Sequence, residues 1–510
     1  MNLDAALAIA SGGLANISRQ FDVVSQNVAN AGTPGYSREV ASQQSVTADG
    51  VGMGVRSLPT RRETDDLLQA GLLAQNAAVG GLTTRQTALA AIDPLLGTPG
   101  QGNDLPSLLG KLQDGFSALA GSPDSQPGQQ QVVIRAQTLA NSINTLAAGY
   151  ATQRQGAQDA LVRDVATVNA ALGTIGTLSD QIVTLKAAGQ GTADLENQRD
   201  AALTGLSRLI DIKSLGQPNG DTLLLTAGGL SLPIHSSANP LAIASATLGA
   251  SSYYPGGGVP ALTLNGIDIT RQVTAAGGQI GANLTLRDTT LPTAAAELDE
   301  FAQNLASRFD SQGLRLFTDP TGAVPPGGFV PVQSGYIGFA GIVGVNPAVT
   351  ASPALVRDGT QAVVGSPTGA SAFTPNPAGG PAGFATLIRR VLDFALGTQA
   401  QGGVAQPASN TTGLGPAGNL AAPYASPASL SAIAIALVAS QGQESGATTA
   451  RLGTEQGLQA ALSAKLTGET GVSIDTELSH MIQLQNAYGA NAKIISAAQA
   501  MWTQLLQVVA

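Results

Sequence analysis

The chain has 510 residues and a formal net charge of −9, from 24 Lys and Arg against 33 Asp and Glu, with charged residues at only 11%. It contains no Lys/Arg cluster that could track a phosphate backbone, so nucleic acid is not an expected partner. There is no Cys and there are two His, His235 and His480, which removes disulfides, thiolate metal sites and Cys nucleophiles and leaves His-based catalysis almost without material.

The chain opens on Met1-Asn2-Leu3-Asp4 and meets its first basic residue at Arg19, so a cleaved secretory signal is not expected. Leu3, Leu7, Ala10, Leu14, Ile17, Phe21, Val24 and Val28 follow at spacings of 4-3-4-3-4-3-4, an a/d heptad pattern. Gly32 and Pro34 are placed to stop this helix. Gly12 and Gly13 interrupt it at about 1 kcal/mol each relative to Ala. Asp4, Arg19 and Asp22 are its only charges, so the helix lacks a broad polar face and should need partners on more than one side.

Gly50-Val51-Gly52-Met53-Gly54 lacks the spacing of a dinucleotide loop and reads as a flexible elbow. Residues 62–215 read as helical. Leu105, Leu108, Leu109, Leu112, Phe116 and Leu119 make one apolar stripe, and a second runs from Val132 to Ile182. No proline lies between Pro127 and Pro218, which permits very long helices. Asp65-Asp66 and the later triplet Glu297, Asp299 and Glu300 read as solvated helix faces. The 194–200 cluster, which contains Arg199, reads as local ion pairing and capping. Residues 216–284 carry a β pattern, with short runs at 222–226 and 259–265 between turn residues. Helix is expected again over 293–313. The nearly uncharged stretch 320–425 reads as short strands and loops. Ser426-Pro427 is expected to open a helix to about Leu466, whose apolar start, Leu430 to Ala439, is too short for a bilayer.

At the C-terminus, Ser473 is placed to cap a helix with Asp475 and Glu477 in its first turn. Leu484, Tyr488, Asn491, Ile495, Ala498, Trp502, Leu505 and Val509 repeat the 4-3 spacing, with Asn491 as a register-setting polar residue. The pattern predicts a multidomain α+β chain. Its parts are a terminal coiled-coil domain (1–50 with 470–510), a long helical-bundle stalk (51–215 with 285–319 and 426–469), a β-rich segment (216–284) and an inserted β-rich outer domain (320–425). No G-x-S-x-G elbow, catalytic residue, metal site or cofactor loop is found.

The stretch Asn27-Val28-Ala29-Asn30-Ala31-Gly32-Thr33-Pro34-Gly35-Tyr36-Ser37-Arg38 resembles the signature of bacterial flagellar axial proteins. Its Thr-Pro-Gly-Tyr-Ser-Arg form is similar to the flagellar hook-associated protein 1 family, FlgK. The run 194–200, Arg287-Asp288, Leu298-Asp299 with Phe301-Ala302, and the segments 471–477 and 485–493 resemble further motifs of that family; Asn197 stands where the family more often has Asp. The resemblance implies a non-enzymatic subunit of the ring that joins hook to filament, with Leu3, Leu7, Leu14, Ile17, Phe21, Val24, Val28, Leu484, Tyr488, Ile495, Trp502 and Leu505 as assembly surface. It also implies contact with like copies, with the hook protein below and with a second junction protein above. An export chaperone on the C-terminal helix, delivery without a cleaved signal, and an extracellular flagellar location follow from the same likeness. The terminal helices are expected to be largely disordered before assembly. A hook or rod subunit is the near alternative, and a surface adhesin or a carboxylate hydrolase the remote ones.

Overall fold

The computed structural model describes residues 3–48, 51–98, 100–236 and 238–509. Helix α1 (Leu3–Asn30) ends just before Gly32 and Pro34. The chain then makes two antiparallel pairings: β1 (Glu39–Val40) lies against a later strand, β4, and the hairpin of β2 (Gln43–Ala48) and β3 (Val51–Ser57) lies between them. Strand β4 is Arg61–Arg62. The described part of the glycine-rich run, residues 51–54, is therefore strand and not elbow. Gly54 has φ 123° beside a break in the ladder register, and its backbone rests on Ile9 of α1.

Helix α2 (Asp66–Leu96) is capped by Asp65, whose carboxylate accepts from the N–H groups of Leu67 and Leu68 at 3.0 and 2.9 Å. Asp65 is thus a cap rather than a free charge on a face. Helix α3 (Leu105–Gly121) is capped by Asp104 in the same way. The proline-free stretch forms α4 (Gln126–Ala187), 62 residues long and so about 93 Å at 1.5 Å per residue. Helix α5 (Ala193–Leu209) returns beside it.

Two three-stranded sheets follow. The first is a meander of β5 (Ile212–Gly216), β6 (Thr222–Thr226) and β7 (Ser231–Leu232); the second joins β8 (Leu241–Ala242), β9 (Thr263–Leu264) and β10 (Ile267–Asp268). The β-like stretch stops earlier than its composition indicates, because α6 (Thr270–Ala276) and α7 (Gly278–Thr285) occupy its end. Gly278, at φ 73°, lets this turn approach α5: a Cβ there would sit 2.5 Å from the Leu209 carbonyl oxygen.

A π-helical turn at Leu286–Thr290 leads into α8 (Leu291–Ser311). Residues 320–425 carry short strands and loops, with short helices that their composition did not signal. Their strands are two or three residues long: β12 (Gly344–Val345), which pairs with β11 (Phe317–Thr318), and the hairpins β13 (Gln399–Gln401) with β14 (Val404–Ala405) and β15 (Thr412–Leu414) with β16 (Leu420–Ala421). Three short helices lie among them, α9 (Pro347–Ala351), α10 (Leu355–Asp358) and α11 (Thr386–Arg390). Helix α12 (Leu430–Thr470) is capped by Ser429, whose Oγ accepts from Ala432 N–H at 3.1 Å, so the start lies three residues beyond Ser426. Helix α13 (Ile474–Val509) completes the chain.

Two apolar cores result, both built on α4. Its first half (Val132 to Ala157) packs with α3, α8, the start of α12 and, from 320–425, Phe339, Val349, Val356, Leu387 and Val391. That packing explains why 320–425 is nearly uncharged: its apolar residues cover the helices and share their core. The second half of α4 (Leu161 to Ile175) packs with α5, α7 and both small sheets. Among the described residues, no helix is long and apolar enough to cross a membrane and no cluster of ligating side chains could hold a metal.

Candidate assembly interface and its joint to the stalk

The terminal helices α1 and α13 pack against each other. Ala10, Ile17, Val24 and, from α13, Ala498 are buried; Leu14, Phe21, Val28, Leu484 and Ile495 are half-buried. A Cβ on Gly13 would sit 3.1 Å from Asn491 Oδ1, so the glycine within α1 lets the polar heptad residue of α13 come close. The side chains of Leu3 and Leu505 lie outside the described residues.

Much of the apolar surface on this pair is left uncovered. Tyr488 and Trp502 are 46% and 49% exposed, and Leu7 is 39% exposed. Five more exposed residues of α13, namely Ile474, Leu478, Ile482, Ile494 and Met501, fall outside the single heptad series and were not expected. Their signal was available, since α13 is apolar around more than one face, but a search for one seam passes over it. Asn16 was also missed. It is buried, its Nδ2 reaches Gln43 Oε1, and its Oδ1 accepts from Ser57 Oγ at 2.9 Å, which fastens the β2–β3 hairpin to α1.

The signature residues form the joint between this pair and the stalk. Asn30 and Thr33 bond within the turn, Thr33 Oγ1 to Asn30 Oδ1 at 3.4 Å. Pro34 and Gly35, the latter at φ 79°, reverse the chain, and Tyr36 N–H donates to Thr33 O at 3.2 Å. Asn27 is fully buried: its Nδ2 donates to Glu39 O at 2.8 Å and its Oδ1 accepts from Glu39 N–H at 2.9 Å and from Tyr36 Oη at 3.3 Å. Burial, then the charge of Glu39, pushes the Tyr36 hydroxyl well above its usual range. Burial, then Asp194, pushes the Glu39 carboxyl up.

Ser37 is held at both backbone groups by Asn197 of α5, each bond 3.2 Å. Arg62 of β4 donates to that same Asn197 at 3.1 Å, to Glu196 at 3.1 Å and to Asp200 at 2.6 Å. Arg62, and not Arg199, is therefore the cation of the 194–200 cluster; Arg199 instead donates to Gly220 O at 2.8 Å. Arg38 closes the joint. Its backbone N–H donates to Thr470 O at 2.8 Å, its Nε to Glu477 at 2.6 Å and one terminal nitrogen to Glu63 at 3.1 Å, while the other faces His480 Nδ1 at 3.3 Å. Three chain segments far apart in sequence meet at this one guanidinium.

The acidic triplet on α8 is not a solvated face. Glu297, Asp299 and Glu300 are 3%, 6% and 3% exposed. Asp299 accepts from Gly338 and Ala340 N–H at 2.7 and 2.8 Å; Glu300 accepts from Tyr336 Oη at 2.6 Å and Asn410 N–H at 2.8 Å. Burial pushes Asp299 up to about 7 and Glu297 up to about 8. Residues 320–425 cover this side of α8, and the local pattern of α8 carries no sign of that cover.

The paired helices of the two chain ends lie in segments that match models of flagellar proteins. Residues 7–36 match the family model of flagella basal body rod proteins, and 469–508 match the C-terminal model of the flagellar basal body rod FlgEFG proteins. Residues 89–320 match the helical domain of flagellar hook-associated protein FlgK. These matches make the chain similar to the flagellar hook-associated protein 1 (FlgK) family.

It is similar to flagellar hook-associated protein 1 of Salmonella typhimurium, with 28% identity over 243 residues, covering 46% of this chain and 43% of that one. The Escherichia coli protein of the same name is 26% identical over 317 residues, covering 59% and 56%. That of Bacillus subtilis is 25% identical over 227 residues, covering 42% and 45%. The chain thus spans about half the length of the curated relatives it matches. The solved flagellar hook junction protein FlgK from Burkholderia pseudomallei aligns with a TM-score of 0.39 at 24% identity, over 50% of this chain and 45% of that one.

Proposed function

We propose that the chain is a structural subunit of the ring that joins the flagellar hook to the filament, and that filament growth and motility depend on it. The observation that carries this reading is the uncovered apolar surface of the terminal pair, on more than one face of α13. Leu478, Ile482, Tyr488, Ile494, Met501 and Trp502 are between 46% and 60% exposed, far more apolar surface than a lone helical pair leaves without a further use. Copies packed side by side into a tube cover it, and the charge-poor, Ala-rich faces of α1 and α13 allow close approach.

In this reading the hook protein lies on one side of the ring and a second junction protein on the other. The subunit acts outside the cell, is exported without a cleaved signal, and is escorted by a chaperone bound to α13. Before assembly the terminal pair is the least ordered part of the chain, since so few of its side chains are fully covered. No reaction chemistry is assigned to it.

Immunogold labelling of purified hook–basal bodies tests the assignment. Label confined to the distal end of the hook is expected; label along the rod or along the whole hook overturns it. Removing the last 30 residues should spare the stalk and abolish filament growth, and normal filaments on such cells would refute the role given to α13.

A further inference from the structure

A cavity of about 470 Å³ opens between the C-terminal part of α2, the start of α8 and residues 440–447 of α12. Its wall is largely apolar, with Leu89, Ile92, Leu291 and Ala294 among its lining residues. Glu297 lines the same space. Its side chain is 3% exposed, and no hydrogen-bond or ion-pair partner for its carboxyl exists among the described residues. A carboxyl in that position either keeps its proton or acquires a cation, because an isolated buried charge costs several kcal/mol.

The other charged groups around the cavity are Arg85, Asp93 and Glu444. Arg85 is already paired with Glu444, and exposed Asp93 accepts from Ser445 Oγ at 2.7 Å. Arg85 and Glu444 offset each other in the wall, which leaves Glu297 and Asp93 as the carboxyl groups without a cation, and the cavity favours a positive guest. Two phenols are near Glu297: Tyr150, whose Oη donates to Gln441, and Tyr424. Gln441 Nε2, buried beside them, donates to nothing among the described residues.

We propose that this cavity binds a linear alkylammonium group, with the ammonium against Glu297 and the methylene chain along Leu89, Ile92 and Leu291. The guest is either a free aliphatic diamine, whose second ammonium meets Asp93 at the mouth, or a lysine side chain, whose own amide carbonyl accepts from Gln441 Nε2. Burial pushes Glu297 up to about 8. At neutral pH an ammonium guest must displace that proton, so binding releases one proton and strengthens as pH rises.

Calorimetric titration of the full chain with 1,5-diaminopentane and with Nα-acetyl-lysine methylamide tests this. Affinity should rise roughly tenfold per pH unit from pH 6 to about 8 and level off above, which is the slope for one released proton. Buffers of different ionisation enthalpy should report that proton at pH 7 in the unmutated chain. Glu297→Gln should weaken either probe by about tenfold or more through loss of the charge. Tighter binding of the lysine derivative assigns the guest to a polypeptide, and tighter binding of the diamine to a free amine. No heat from either probe at pH 8.5, binding without proton release at pH 7, or unchanged affinity in Glu297→Gln overturns the proposal.

Discussion

Arg38→Ala separates the joint from the stalk energetically. The side chain of Glu477 is fully buried, and its Oε1 takes the 2.6 Å bond from Arg38 Nε while its Oε2 has no partner among the described residues. Removing the guanidinium leaves this carboxylate without its cation, a change that costs about 3–5 kcal/mol for a fully buried pair. Arg38 keeps 15% of its side chain exposed, so water reaches the pair and the lower end, about 3 kcal/mol, applies. Because Glu63, Glu477 and His480, the partners of the guanidinium, all belong to the joint, and the backbone bond to Thr470 survives the substitution, the loss should fall on the terminal pair alone. Hydrogen exchange read by mass spectrometry should show protection over 14–30 and 474–495 falling by roughly 100-fold, while α4 peptides over 132–157 stay as they were. The double variant Arg38→Ala/Glu477→Ala should recover part of the loss, since it removes the orphaned charge as well. Equal loss across all peptides, or unchanged exchange at the chain ends, would refute the argument.

Three further expectations follow from the geometry. Glu297 sits at about 8 and Asp299 at about 7 in the folded chain, against about 4 when unfolded; over that window the folded chain holds protons the unfolded chain has lost, so stability declines as pH rises. Glu297→Gln should cancel its share, on the order of 4 kcal/mol between pH 4.5 and 8, and urea titrations that show the same pH slope in both chains would contradict this. Gly176→Ala would bring a Cβ to 1.9 Å from the Ile234 carbonyl oxygen and should cost about 3 kcal/mol by urea denaturation, whereas Gly173→Ala, with open space around it, should be neutral or add up to about 1 kcal/mol. Tyr488→Ser and Trp502→Ser should leave the melting of the isolated chain within about 0.5 kcal/mol yet block filament growth; wild-type filaments in both variants would remove these residues from the assembly surface.

The sequence showed most clearly what it repeats. The two heptad series and the proline-free interval each depend on a periodic or excluded residue, and α1, α13 and α4 lie where those signals put them. The Asn27–Arg38 segment stood out as wording, but its mechanical role did not, because Asn197, Arg62 and Glu477 arrive from three distant segments. The burial of Glu297, Asp299 and Glu300 was equally hidden: what covers α8 is a loop-rich stretch without periodicity. Cap placement at Ser429 rather than Ser426 shows a smaller limit, since two serines three residues apart both offer a hydroxyl to a helix start and the local sequence does not choose between them.

Helix α4 runs without a break through both apolar cores. A twist applied to one core can therefore pass to the other along the backbone hydrogen bonds of α4, and beside it along α2, which gives Leu73 to one core and Ala88, Ile92 and Leu96 to the other. At the Pro34–Gly35 turn no helix is shared, and the terminal pair is tied to the stalk by polar bonds such as those of Asn197 and Arg38. Under load, such a subunit would behave as a stiff shaft on a tethered ankle, able to change the inclination of its outer body while its long axis keeps its length.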